Sequence, residues 1–341
     1  MPEKSTKDDD LFAMTLFVRG FKLSKMIQVA AELGLADRIA KGPKPVAELA
    51  RDLGADSAML MRLCRALAAF GIFAVDANGT LSHTARSQFL KQDAKPTLHH
   101  AARFWTTKGN WAAWEGLLET VRTGKPGFES IFGVPVFEYL REHWQEARLF
   151  DAFMQHSPDD RHLAVVEAYD FSSAKLVVDV GGGNGALIAS VLAATLETRG
   201  LVFDREEVLA GAVKTLAAHT SRSRIEAGDF FEHVPEGGDI YTLSQILHDW
   251  SDERCRAILK NCRAAMHPSA KLLVIERILS GGSKTNPMNF LSDMEMMVLC
   301  EGARERTARE YAELLQETGF TSPKQIETRS PFSILVTQLN P

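Results

Sequence analysis

No stretch of the chain approaches the roughly 18 uninterrupted apolar residues that a membrane span requires, and none of its helical patterns is apolar all round. Cysteine is scarce. Cys64, Cys255, Cys262 and Cys300 are the only four, and no pair has metal-ligand or redox spacing. Three of them sit in helical apolar patterns, where a free thiol behaves as a small hydrophobe. An excess of one charge is also missing: 39 Lys and Arg against 44 Asp and Glu leave a net charge of -5, with the basic residues dispersed. A nucleic-acid surface needs a clustered basic face, and none is visible. Segment 1–10 is polar and lacks the apolar core of a secretion signal. These absences lead us to expect a cytoplasmic protein that engages neither membrane nor nucleic acid. What is present, 45% hydrophobic and 24% charged residues over 341 positions, is the composition of a globular chain of more than one domain.

From Leu11 to about Phe89 the apolar residues recur at helical spacing. Met26, Ile27, Ala30, Ala31 and Leu33 run into Gly34, and segment 45–53 is closed by Gly54. A helix over Asp56–Phe70 starts on an Asp56 N-cap and presents Met59, Leu60, Leu63, Leu67 and Phe70 as its apolar positions. Ile72–Val75 and Thr80–Ser82 flank the turn Asp76–Gly79 as a hairpin. Three helices and a hairpin outline a winged helix. Its third helix offers only Arg62 and Arg65 among Ala and Ser, which suits a structural or dimerising module better than a DNA reader. Leu11, Phe12, Met14, Leu16, Phe17 and Val18 predict a surface covered by a second chain.

Between Pro96 and Tyr169 lies a second helical stretch rich in aromatics. Aromatics at that spacing fill cores; the alternative is that Phe150, Phe153 and Met154 wall a flat apolar ligand pocket. We divide the chain into a winged-helix-like region 1–95, a helical connector 96–169 and a C-terminal domain 170–341.

Past Phe171 short β-branched runs alternate with helical patterns, the signature of a parallel α/β sheet. Strands are expected at Lys175–Val180, Gly200–Asp204, Arg224–Ala227, Asp239–Gln245, Lys271–Arg277, Lys324–Glu327 and Phe332–Gln338, the last two antiparallel. Crossing helices are expected to start near Gly185, Glu206, Ser251 and Thr307, the last on a capping box with Glu310.

The first of these strands carries Asp179 one residue before its end and runs into a turn carrying Gly181, Gly182, Gly183 and Gly185. Such a turn lets backbone approach a cofactor at the carboxyl edge of a doubly wound sheet. Without a clean Gly-x-Gly-x-x-Gly, and with Asp179 ahead of it, the turn suits a cofactor with an ammonium-bearing tail better than a pyrophosphate. Asp204 ends the second strand, where a carboxylate accepts both hydroxyls of a ribose. Asp229 and Phe230 follow the third, placed for the amino group and ring face of an adenine. The series predicts an adenosyl cofactor. His248 follows the fourth strand, Glu276 ends the fifth and Glu305 precedes the last crossing helix. A carboxylate on one imidazole nitrogen fixes the tautomer and leaves the other as a base. With a phenol near pKa 10 and histidine near 6.5, deprotonation must be coupled to attack.

The Gly181–Gly183 turn, Gly228–Phe231, Ile246–Glu253 and Glu305–Thr307 resemble the plant caffeate/flavonoid-type and bacterial polyketide-type small-molecule O-methyltransferases over nearly the whole chain. The resemblance implies a Rossmann-like seven-stranded methyltransferase sheet, an N-terminal winged-helix dimerisation domain and an intertwined homodimer. It further implies S-adenosyl-L-methionine at the glycine turn, no metal, and transfer to a hydroxyl of a small aromatic acceptor. His248 would be the base, with Glu276 and Glu305 flanking it. Asp204 would hold the ribose, Asp229 and Phe230 the adenine, and Asp249 would lie beside the methionine tail. Met154 and the stretch containing Met294, Met296 and Met297 would shape the acceptor pocket, unless those methionines are ordinary helix packing. One departure stands out: where plant members usually place Lys against the cofactor, this chain has Ser244. The rival readings are N- or C-methylation, a family member that no longer transfers methyl, and, remotely, a winged-helix regulator with a ligand-sensing domain.

Overall fold

The computed structural model describes residues 7–155, 160–280 and 286–341. The chain divides into two compact units, one of residues up to Trp111 plus the segment from Leu140, the other of Ala112–Tyr139 and the C-terminal part.

In the first unit, helix Lys7–Val18 buries none of its side chains. Helices Gly20–Glu32, Val46–Leu53 and Ser57–Ala69 surround a core of Leu35, Ile39, Val46, Leu49, Leu60, Cys64 and Leu67. Asp56 caps the Ser57 helix as expected, its carboxylate accepting from the Met59 N–H at 2.9 Å. The buried face of that helix is Leu60, Cys64 and Leu67. Met59 and Phe70, expected on that face, are 54% and 37% exposed. The correction is rotational: Met59 and Phe70 flank the 60–64–67 stripe rather than lying on it. Strands β1 (Lys44–Pro45), β2 (Phe73–Val75) and β3 (Thr80–His83) form an antiparallel sheet in the order β1-β3-β2. The hairpin thus carries a third, two-residue strand that the sequence did not announce.

The second unit is built on β4 (Leu176–Val180), β5 (Arg199–Asp204), β6 (Ser223–Ala227), β7 (Ile240–Ser244), β8 (Lys271–Leu279), β9 (Arg306–Thr307), β10 (Lys324–Glu327) and β11 (Phe332–Gln338). Their order is β10-β11-β8-β7-β4-β5-β6, with β9 pairing the end of β8. Strands β6, β5, β4, β7 and β8 are parallel, and β11 is antiparallel to both its neighbours. Chain order therefore reverses at β4, which makes the carboxyl end of β4 the switch point where doubly wound sheets bind ligands. Alternating side chains feed two cores. Val178, Val180, Leu201, Phe203 and Leu243 pack on helices Asp252–Ala265 and Ala308–Glu317. Val177, Val202, Ile240, Leu273 and Ile334 pack on Arg161–Ala168 and Ala186–Ala194.

The β5–β6 crossing helix starts at Ala210, not near Glu206. Residues 205–209 are spent on turns closed by Val208 N–H to the Arg205 carbonyl and Leu209 N–H to that of Glu206. Strand β7 is one residue shorter at each end than expected. The Asp239 carboxylate accepts the Lys175 and Leu176 N–H groups instead, and Gln245 turns to φ +56°. Thr307 and Glu310 make the expected capping box. Helix Pro287–Leu299, capped by Asn286, carries the methionine stretch, to which no element was assigned from sequence.

Candidate active site

Glycine is demanded at the β4 exit by both dihedrals and space. Gly181, Gly183 and Gly185 have φ of +72°, +55° and +74°. A Cβ on Gly181 would lie 2.4 Å from Ile246 Cδ1, and one on Gly182 would lie 2.8 Å from Asp179 Oδ2. A Cβ on Gly183 would meet nothing within 4 Å, so the turn has one open side. Gly183 donates its N–H to Asp204 Oδ2 at 2.8 Å, while Asp204 Oδ1 accepts from Arg205 N–H at 2.7 Å. The end of β5 is thereby tied to the turn above β4. Burial lifts the Asp204 pKa, and these two N–H donors oppose the lift.

Asp179 lies beneath the turn. It is 2% exposed, accepts from Thr242 Oγ1 at 2.6 Å, and is pushed up to about 7 by burial. Its carboxylate lies against Gly182, 2.8 Å from where a Cβ would stand. Asp229 Oδ1 accepts from Phe231 N–H at 2.8 Å and so shapes its own turn. Phe230 reaches back to Gly181, 3.4 Å from where a Cβ would stand, and meets Phe231 edge-on at 4.9 Å. Gly181, Phe230 and Ile246 therefore meet at the carboxyl edge of the sheet. Ile246 had no sequence signal beyond its place two residues before His248.

The next turn is built as tightly. After Ser244, half-buried at the end of β7, Gln245 adopts left-handed backbone and donates its N–H to the Ile275 carbonyl at 3.0 Å. Glu276 Oε1 accepts from the Ile246 and Leu247 N–H groups at 3.1 and 2.9 Å. Arg306, fully buried, donates at 2.8 Å to the carbonyls of both Leu247 and Trp250, and it pairs with Asp252 at 2.7 Å. The single turn Leu247–Asp249 is thus held at both ends. Arg306, flanked by Glu305 and Thr307 in a run of charged residues, carried no sequence signal that set it apart.

His248 is 7% exposed. Its Nδ1 stands 3.3 Å from Glu305 Oε1 and 3.7 Å from Glu276 Oε2. Ser292 Oγ donates to the same Glu305 oxygen at 2.7 Å. These three predicted residues are brought together as expected. The other nitrogen is not free: Asp249 Oδ1 sits 3.2 Å from Nε2. Asp249 was expected beside the cofactor tail; here its carboxylate lies against His248 Nε2. Burial disfavours charge on the ring, but Asp249, Glu276 and Glu305 outweigh it and raise the His248 pKa well above 6.5. Burial likewise lifts Glu276 to about 7, against the pull of His248. Glu305 is held below its ordinary value, its hydrogen bond to His248 overcoming burial. The donor atoms of His248, Glu276 and Glu305 lie within 4.8 Å of one another, near enough for a cation, but a ring nitrogen facing two carboxylates is equally the geometry of proton handling.

Of the remaining predicted residues, Phe150, Phe153 and Met154 belong to the first unit. There Phe153 stacks on Phe104 at 5.2 Å, and Phe150 tilts against it at 5.4 Å. Met294, Met296 and Met297 are half-buried on helix Pro287–Leu299 of the second unit. One further buried charge was missed from sequence. Arg161 is 8% exposed, its guanidinium lies 5.7 Å from the Phe332 ring, and its charge acts on Asp179.

A carboxylate-lined glycine turn at the switch point, with a clamped imidazole at the exit of the neighbouring strand, fits a transferase working on a nucleoside-bearing cofactor. Comparison with known families makes this specific: the chain belongs to the O-methyltransferases, matching their O-methyltransferase domain over residues 114–321 and their dimerisation domain over 16–93. It is 37% identical over 320 residues to phenazine O-methyltransferase PhzM of Lysobacter antibioticus, covering 93% of each chain. It is 34% identical to phenazine-1-carboxylate N-methyltransferase of Pseudomonas aeruginosa, covering 91% of this chain and 92% of that one. Its fold matches human N-acetylserotonin methyltransferase, solved with S-adenosylmethionine, with a TM-score of 0.87 at 26% identity and full coverage of both chains. The protein is thus an S-adenosylmethionine-dependent methyltransferase. Among the described residues no helix is long and apolar enough to cross a membrane.

Proposed function

We propose that this enzyme methylates a hydroxyl of a small aromatic acceptor and that His248 removes the hydroxyl proton. The observation that carries this reading is the buried imidazole, oriented through Nδ1 by Glu305 and Glu276, on a turn clamped by Arg306. The residues present suit the cofactor: the open side of Gly183, the half-buried Asp204 and the Phe230 ring against Gly181 form a cradle with an acid and an aromatic face. Gly181 and Gly183 would meet the cofactor with backbone, Asp204 would hold its ribose, and Asp229 and Phe230 its adenine. Ser244 offers only a hydroxyl where plant relatives offer an ammonium, so in this reading buried Arg161 supplies the positive charge for the carboxylate of the tail. Bound there, S-adenosylmethionine supplies an electrophilic sulfonium methyl.

The protein's own task is then to place and deprotonate the acceptor. Asp249 must leave Nε2 for the incoming hydroxyl. Nδ1–H stays with Glu305, which stabilises the imidazolium formed as the proton arrives. Met294 and Met297, on a helix of the same unit as His248, supply apolar wall for a flat acceptor. Likeness to an N-methyltransferase makes a ring nitrogen the second acceptor class. A panel of phenols and nitrogen heteroaromatics with labelled cofactor separates the two; transfer to nitrogen alone would refute the hydroxyl reading.

Asp204→Ala removes a carboxylate that also anchors Gly183, so cofactor affinity should fall about 10- to 100-fold, the worth of one to two hydrogen bonds to a charged group. Unchanged affinity by calorimetry would rule out the ribose role. The raised His248 pKa sets the sign of the pH response. Near neutrality the ring holds its proton and is no base, so kcat/KM should climb with pH and level off above the His248 pKa, well over 6.5. A profile flat from pH 6 to 9 contradicts this.

The dimerisation domain supports a homodimer as the working unit. In it, we expect the second copy to cover Leu11, Phe12, Phe17 and Val18, which are 66–77% exposed in the single chain. Sedimentation should give twice the chain mass, shifting toward the monomer in Phe17→Asp; a monomeric wild type would refute it.

A further inference from the structure

Behind His248 the carboxylates have more acceptor oxygens than the neighbouring groups have filled. Glu276 Oε2 and Glu305 Oε2 are buried and accept no hydrogen bond, and a third buried atom near them, the Tyr311 hydroxyl, also makes none. Unpaired buried polar atoms are costly and uncommon, and three around one catalytic ring call for a functional account. The groups facing Tyr311 come from several elements: Glu276 on β8, Glu305 just before β9, Arg306 on β9 and Cys255 on helix Asp252–Ala265. Arg306 stacks its guanidinium 5.8 Å from the Tyr311 ring centre and so fixes the ring. Tyr311 itself is on helix Ala308–Glu317, fully buried, in the core beneath the site.

The neighbouring donors are already spent. The Ile246 and Leu247 N–H groups bind Glu276 Oε1, and Ser292 binds Glu305 Oε1. Arg306 serves the Leu247, Trp250 and Arg304 carbonyls and Asp252. Cys255 Sγ lies 3.1 Å from the Leu247 carbonyl. Arg277 acts on Glu305 with its charge and donates to Asn289 Oδ1 at 3.5 Å, whereas the buried Tyr311 hydroxyl is a donor without a partner.

We propose that Tyr311 is a positioning residue for methyl transfer, its hydroxyl donating to the Glu276–Glu305 pair, directly or through one water, when both carboxylates are ionised. The proposal rests on His248 being the base and adds what keeps it basic. The acceptor proton passes to Nε2, the imidazolium keeps its Nδ1–H on Glu305, and one proton leaves to solvent per methyl transferred. Two buried carboxylates beside one imidazole repel each other, and burial already puts Glu276 at about 7, where a proton is easily taken up. A phenol donor favours the ionised pair without adding charge, and the ionised pair in turn holds the His248 pKa up.

Tyr311→Phe keeps the ring and removes only the hydroxyl. Glu276 should then stay protonated to higher pH, the field at Nδ1 should weaken, and His248 should become a weaker base. The acid limb of kcat/KM should move down by about half to one pH unit, as expected for losing one hydrogen bond to a charged neighbour. Plateau kcat should fall several-fold with KM unchanged. The His248 ¹³Cε1 resonance of labelled, ligand-free dimer should titrate at correspondingly lower pH. Fluorotyrosine at 311, a stronger donor of nearly the same shape, should move both readouts upward. If neither the limb nor the resonance moves in either variant, the proposal is overturned, and a higher Tm in Tyr311→Phe would mark the hydroxyl as merely wasted. If the resonance moves but the wild-type acid limb does not follow the His248 titration, Tyr311 keeps its role and His248 loses the base assignment.

Discussion

Alanine in place of His248 is expected to cut turnover by about 10²- to 10⁴-fold, the usual worth of a positioned general base, with cofactor affinity nearly intact. The division follows from where the residues sit. In the proposed reading the cradle is made by the exits of β4, β5 and β6, through Gly181, Asp204 and Phe230, and His248 hydrogen-bonds to none of these described residues. The ring is tied instead to Glu276 on β8, Glu305 before β9 and its neighbour Asp249. Removing it takes away the proton acceptor and leaves three carboxylates crowded together, so modest destabilisation should accompany the loss. His248→Gln, which can still accept a hydrogen bond but not hold a proton, should be almost as inactive. Calorimetry with S-adenosylmethionine and single-turnover transfer measure the two effects separately.

The second large effect is expected at a residue that touches no reacting atom. Arg306→Met should lower stability by about 3 kcal/mol, the scale for removing one partner from a buried charged network. The turnover of the surviving folded protein should fall with it. Arg306 donates charge-assisted hydrogen bonds to both the Leu247 and Trp250 carbonyls, which bracket His248 and Asp249; the Cys255 thiol reaches the same two carbonyls without a charge. Without it those carbonyls lose charge-assisted donors, whereas Asp252 keeps Arg304 as a partner. Arg306→Lys should recover charge but little activity, because one ammonium cannot span two carbonyls and a carboxylate as a planar guanidinium does. Denaturant unfolding and kcat on the same preparations check both halves; full activity in Arg306→Met would show that the turn needs no clamp.

The sheet was readable because its strands are short β-branched runs between turn residues, and each of the seven expected strands is present within two residues. Asp56 and Thr307 were readable as caps because capping is a local hydrogen bond between residues three apart. The glycine turn, Asp204 and the Asp229–Phe230 pair were placed by their order after successive strands, which is topology written along the chain. What resisted reading depends on geometry between distant segments. The Asp249 carboxylate reaches Nε2 only because Leu247–Asp249 forms a single tight turn, itself set by the left-handed Gln245 and by Arg306, 59 residues from the Leu247 carbonyl it holds. The partner of Asp179 had no sign in the sequence; only the pairing of β4 with β7 shows that Thr242 engages it. Met59 and Phe70 were misplaced because a helix rich in apolar residues leaves its buried stripe ambiguous by one position.

The central claim is that His248 relieves the acceptor of its proton as the methyl is transferred. The direct measurement compares wild type with His248→Ala across phenols of increasing acidity, at one pH and saturating cofactor. A phenol already ionised in solution needs no base, so the account predicts that the wild-type advantage shrinks steadily as acceptor pKa falls and nearly vanishes for the most acidic members. An advantage that stays constant across the series would mean that His248 does something other than take the proton.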